Sequence, residues 1–138
     1  MSYALSAPLQ AAVYVRLASD AALSALVGGA VYDALPPGPA PALYVVLGPE
    51  TVKDASDQTG RGAQHDFTVS VVTDASGFDT AKTAAGAASD ALLGTPLALS
   101  RGHMVGLTFV RAKAGRVSGG SRRIDLTFRA RVEDDLAA

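Results

Sequence analysis

Metal binding and acid–base catalysis need His, Asp or Glu side chains that converge at ligand distance. The 138-residue chain supplies two histidines, His65 and His103, and neither stands in an H-x-x-x-H spacing. Asp66 follows His65 directly. Neighbours on a strand point to opposite faces, so that pairing reads as incidental. Residues 59–65, TGRGAQH, hold Gly60 and Gly62 at the spacing of the first two glycines of a dinucleotide fingerprint. The third glycine is missing, and a strand pattern follows where phosphate binding requires a helix. No serine lies in a G-x-S-x-G elbow, and a chain without cysteine has neither disulfides nor thiolate ligands. These residues predict no catalytic site, no cofactor and no metal.

The chemistry that remains is electrostatic. A net charge of −1 conceals blocks of opposite sign. Residues 101–131 hold eight bases against Asp125 alone, a balance of +7, while residues 1–100 hold four bases and nine acids, a balance of −5. Glu133, Asp134 and Asp135 add three acids at the end. A basic segment of this kind could follow phosphates. It lacks the aromatic stacking platform of single-strand binders and any helix with a basic stripe for a major groove. A second copy of an uneven molecule is an equally natural acidic partner.

The elements that carry these charges follow from periodicity. Apolar residues fall at Leu9, Val13 and Leu17, then at Leu23, Leu26 and Val27 beyond a possible break at Ser19-Asp20. This is a helical stripe with Ser6 as the expected cap and Gly28-Gly29 as the stop. Residues 30–33 read as a short strand, the prolines of 36–41 as a stiff connector, and residues 42–48 as a buried strand. Residues 48–65 have Val52 as their one large apolar residue and are expected to form a long flexible loop. Phe67, Val69 and Val71 alternate on a strand, and Ala81, Ala84, Ala85, Ala88 and Leu92 line a second helix that ends at Gly94. Two strands joined through the glycines of 114–120 close the chain. In the last of them Ile124, Leu126, Phe128, Ala130 and Val132 alternate with Asp125, Thr127, Arg129 and Arg131. The order predicts a single α+β domain, residues 1–138. It should have a mostly antiparallel sheet of four to five strands with two helices packed on one face. Thr68, Ser70, Thr108, Thr127, Arg129 and Arg131 would occupy the other face. No run approaches the roughly 18 apolar residues of a membrane helix.

The whole order of elements resembles the tail terminator proteins of long-tailed bacteriophages and alphaproteobacterial gene transfer agents. The likeness is carried by LQAAVYVRLASDAALSALVGGAVYDALPPG, PALYVVLG, SGFDTAKTAAGAASDALL and RRIDLTFRARVE. It covers nearly the full chain through structural rather than catalytic motifs. The resemblance implies a virion structural protein in the head-proximal end of a phage-like tail, assembled in the bacterial cytoplasm. It implies a homo-oligomer, a hexameric ring, that caps the tail tube, ends its polymerisation and joins a head-side connector. DNA would pass through the lumen without sequence-specific binding. On that footing the interface residues are expected among Arg111, Lys113, Arg116, Arg122, Arg123, Arg129 and Arg131. A second group is expected in the long loop: Glu50, Lys53, Asp54, Asp57 and Arg61. Asp54 and Asp57 would be left for the lumen. The alternatives are a head–tail connector or stopper of similar size and a small nucleic-acid-binding module.

Overall fold

The computed structural model describes residues 3–56, 61–117 and 119–135. Helix α1 (Ser6–Ser19) stops because Asp20 is extended, and the Asp20 carboxylate accepts from the Leu23 N–H at 2.9 Å to cap α2 (Ala21–Val27). The Ser19-Asp20 break is therefore real, and the expected two helices become three. Gly28 ends α2 with φ +62° while its N–H reaches the Ser24 carbonyl at 2.8 Å, a conformation that costs glycine nothing. Ser6 is the first helical residue and not the cap: its hydroxyl is drawn away to Glu50. Leu26, expected on the buried stripe, is 40% exposed.

Five strands follow in the sheet order β1-β2-β3-β5-β4. They are β1 (Val31–Tyr32), β2 (Leu43–Asp54), β3 (Gly62–Thr73), β4 (His103–Arg116) and β5 (Arg122–Glu133). Strand β1 runs parallel to β2, and the other pairs are antiparallel. The stretch 48–65 is not a long loop. Most of it continues β2 and β3 as a hairpin, paired from Glu50 opposite Phe67 to Asp54 opposite Ala63. Its few apolar residues belong to the ladder: backbone hydrogen bonds hold the arm, and little side-chain burial is needed. A bulge between Leu47 and Glu50 resets the register there, which hid the alternation.

The core lies between the sheet and the helices. Leu5, Leu9, Val13, Leu17 and Leu23 meet Val45, Val69, Val71, Ile124 and Leu126. Helix α3 (Asp79–Gly94) buries Ala81, Ala84, Ala85, Ala88, Ala91 and Leu92. Side chains this small bring the helix close to β3 and β5. Phe67, Phe128 and Phe109 form a row across β3, β5 and β4, with ring centroids 5.7 and 5.9 Å apart. Burial is lost only at its β4 end: Phe67 is 8% exposed, Phe128 0% and Phe109 46%. The helices cover the middle of the sheet and leave β4 overhanging.

Candidate assembly interface

Register decides which charges share a face. On the side away from the helices, β3 presents Gln64, Asp66, Thr68 and Ser70 opposite Arg131, Arg129, Thr127 and Asp125 of β5. Strand β4 adds Thr108, Arg111 and Lys113 opposite Arg129, Thr127 and Asp125. The polar face expected from alternation is present, with Ser70 buried in it.

The β5 arginines are largely engaged within the chain. Arg129 forks onto Asp66, Nε to Oδ1 at 2.9 Å and Nη2 to Oδ2 at 3.1 Å. That bidentate bond, aided by the more distant Lys53 and Arg111, holds the Asp66 carboxyl below its ordinary pKa and raises that of Arg129. Arg123 donates to Asp125 at 2.8 Å and to Ser70 Oγ at 3.0 Å, and Ser70 donates to Asp125 at 2.6 Å. Burial pushes the Asp125 carboxyl up, but Ser70 and Arg123 outweigh it and the pKa falls. Arg131 reaches the Ala55 carbonyl at 3.0 Å, fastening β5 to the turn of the β2–β3 hairpin. Arg122 turns to the helix side, donating to the Ala75 carbonyl at 3.0 Å with its guanidinium 5.4 Å from the Phe78 ring centre. A neighbour would meet these side chains already partnered.

Strand β4 differs. Among the described residues, Arg111, Lys113 and Arg116 form no hydrogen bond or ion pair, and all three are exposed. Lys53 and Arg61 are likewise exposed at the hairpin. Asp54 lies near the hairpin tip and accepts from the Ser56 hydroxyl at 2.7 Å, which lowers its pKa. Asp57 falls outside the described residues.

Glu50 does not turn outward. It accepts from the Tyr3 and Ser6 hydroxyls at the start of α1 and stands 3.4 Å from Nδ1 of the fully buried His65. Partial burial raises the Glu50 carboxyl, yet the bonds from Ser6, Tyr3 and His65 bring it below its usual value. His65 Nε2 has no hydrogen-bond partner among the described residues. This cluster clamps the N-terminal helix onto the hairpin arm. The sequence hid it, because the bulge between Leu47 and Glu50 aligns Glu50 with the inner-facing Phe67. The acids at the end of β5 are also occupied: Asp134 accepts from Nε and Nη2 of Arg101 at 3.0 and 2.8 Å, and His103 lies between Glu133 and Asp135.

Among the described residues no three His, Asp or Glu side chains gather as a metal site, and no helix is long and apolar enough to cross a membrane. What the surface offers is binding: a partnered polar face, three unpaired bases on an edge strand, and apolar side chains beside them. Residues 11–133 match the family described as Tail completion protein gp17. No protein of curated function matches. A chain in a structure described as "Virion of native gene transfer agent (GTA) particle" is similar with a TM-score of 0.90 and 66% identity, over 96% of this chain and 99% of that chain.

Proposed function

As the chain belongs to the Tail completion protein gp17 family, and so is a structural protein of a phage-like tail, we propose that it forms a ring capping the head-proximal end of the tail tube. The ring ends tube polymerisation and offers its other side to a head connector or stopper, while DNA passes through its lumen. The observation that carries this reading is the near full-length likeness, at 66% identity, to a chain of a gene transfer agent virion. The exposed β4 bases and the apolar side chains beside them are suited to contact, which fits this reading.

In this reading the exposed β4 bases and the arm built from β2 and β3 reach neighbouring proteins, and Asp54 borders the lumen. A carboxylate-lined passage releases DNA, because each phosphate neutralised by a base would add salt-dependent affinity. Arg123, Arg129 and Arg131 hold the sheet and hairpin in shape for that contact.

Light scattering of the purified protein, alone and with isolated tail tubes, tests the proposal together with tail length in particles assembled without it. We expect a closed oligomer on tube ends and, without the protein, tubes of uncontrolled length. A chain that remains monomeric on tubes, or tails of normal length in its absence, would overturn the reading.

A further inference from the structure

We propose that successive copies in the assembly meet head to tail, with the overhanging helix-side surface of β4 in one copy seated on the outer face of α1 in the next. The inference rests on the ring reading above and supplies its two contact surfaces.

The first surface follows from the sheet order. Leu107, Phe109, Ala112 and Ala114 lie opposite Ala130, Phe128, Leu126 and Ile124 of β5, so they point to the helix side. Helix α3 covers those β5 residues, which are buried, but reaches only part of β4: Phe109 is 46% exposed, and Ala112 and Ala114 are exposed with it. Leu93 on α3 is 42% exposed beside the same strand. Two bulges, between Met104 and Gly106 and between Phe109 and Arg111, distort the outer edge of β4. Bulges of this kind oppose the addition of another strand, which leaves the face as the surface to be covered.

The second surface lies on α1. Helix α1 is apolar on both sides: Leu9, Val13 and Leu17 are buried, while Ala7, Ala11, Tyr14, Val15 and Ala18 form an exposed stripe at spacings of three and four. A helix apolar all round requires cover on both faces. The stripe borders an open groove of about 650 Å³ that also includes Tyr3, Gln10 and Asp33. Asp33 follows β1, placing the groove at the β1 end. On its other side α1 is tied to α3 through Arg16, which donates to the Ala91, Thr95 and Pro96 carbonyls.

Charge favours a second copy as the occupant. The helix side of β4 carries Arg116, opposite Arg122, with Arg111 and Lys113 on the strand's other face and no acid, whereas the α1 side carries Asp20, Asp33 and one base, Arg16, which donates to carbonyls. Two different patches on one subunit make a heterologous contact, the kind that closes into rings. A contact of β4 on β4 would stop at a dimer and set bases against bases.

The test uses single-patch variants. Phe109→Glu blocks the overhang, and Ala11→Glu blocks the α1 face. Each alone should fail to assemble, in solution or on tail tubes, wherever the wild type assembles. Their equimolar mixture should give a heterodimer of twice the 14.0 kDa chain mass and nothing larger, because one intact patch remains on each partner. Assembly of Ala11→Glu or Phe109→Glu like wild type would overturn the inference and leave the ring reading standing. A wild type that assembles under neither condition removes both.

Because Phe109 touches Phe128, a folding defect is checked by a second route. The chain has no cysteine, so Ala11→Cys combined with Phe109→Cys can be joined by a short bis-maleimide. The double variant should give a ladder of oligomers and each single variant only monomer. Dimers from Phe109→Cys alone, or no ladder from a double variant that assembles, would refute the head-to-tail contact.

Discussion

Strands β4 and β5 are antiparallel neighbours with similar sequences, each mixing alternating apolar residues with bases, and they end in opposite conditions. Strand β5 is flanked by β3 and β4 and covered by α3, so its apolar side is buried and its bases find partners within reach. Strand β4 has one neighbour and overhangs the helices, so its apolar side is half open and its bases form no ion pair among the described residues. Position in the sheet order, rather than composition, separates a strand that holds the fold from one available for assembly.

The largest consequence concerns the shared aromatic row. Phe128→Ala should cost about 3–5 kcal/mol, as for a fully buried phenylalanine. Phe109→Ala, 46% exposed in the same row, should cost less than about 1.5 kcal/mol, because most of the lost area was already wet. Urea unfolding at matched protein concentration measures both, and equal losses would break the comparison.

Two glycines sharpen it. Gly102 enters β4 with φ +70°, and a Cβ there would lie 2.5 Å from the Glu133 carbonyl oxygen and 3.0 Å from Leu5. Gly102→Ala should therefore lose on the order of 1–3 kcal/mol. Gly106, on the free part of β4, has open space where a methyl group would stand, with no neighbouring atom within 4 Å. Gly106→Ala should stay within about 0.5 kcal/mol. A matching loss at Gly106 would mean that β4 is packed on its open side.

Much of the fold was legible because it depends on local pattern. The β5 alternation identified Ile124, Leu126, Phe128, Ala130 and Val132 as core, and the alanine stripe of α3 identified its buried face. The hairpin inside 48–65 was illegible: its strands are held by backbone bonds and interrupted at Leu47/Glu50, so no side-chain period marks them. On the interface side, the basic segment was visible as a count of charges. Which bases are spent was not, because Asp66 lies 63 residues from Arg129 and Ala55 lies 76 from Arg131. The overhang of β4 was hidden for the same reason, since coverage by α3 is a property of the assembled layers.

Acid should act on the β5 side of the comparison. Asp66, Asp125 and Glu50 all have folded-state pKa values lowered by their partners. Their contribution is fully present above the ordinary values, about 3.9 for Asp and 4.3 for Glu, and is lost as pH falls through the lower folded values. Asp125→Ala removes the acceptor of the buried Ser70 hydroxyl and should cost about 1–2 kcal/mol at neutral pH. The gap from wild type should shrink as pH drops below about 4. A gap that stays constant from pH 7 to 3 would show that the carboxylate charge contributes nothing there.

The smallest effect on stability belongs to the β4 bases, and it is the most informative about their use. Arg111→Gln and Lys113→Gln remove charges that have no ion-pair partner among the described residues, so unfolding should move by no more than about 0.5 kcal/mol. If they act between subunits, as proposed, such exposed charges reach over about 10 Å at 0.1 M salt and only about 3 Å at 1 M. Wild-type assembly, followed by light scattering, should therefore weaken as salt rises. The double variant should assemble more weakly at low salt, with a flatter salt dependence. If its salt response matched wild type, the β4 bases would face solvent in the assembly, and the distinction between the strands would reduce to the apolar overhang.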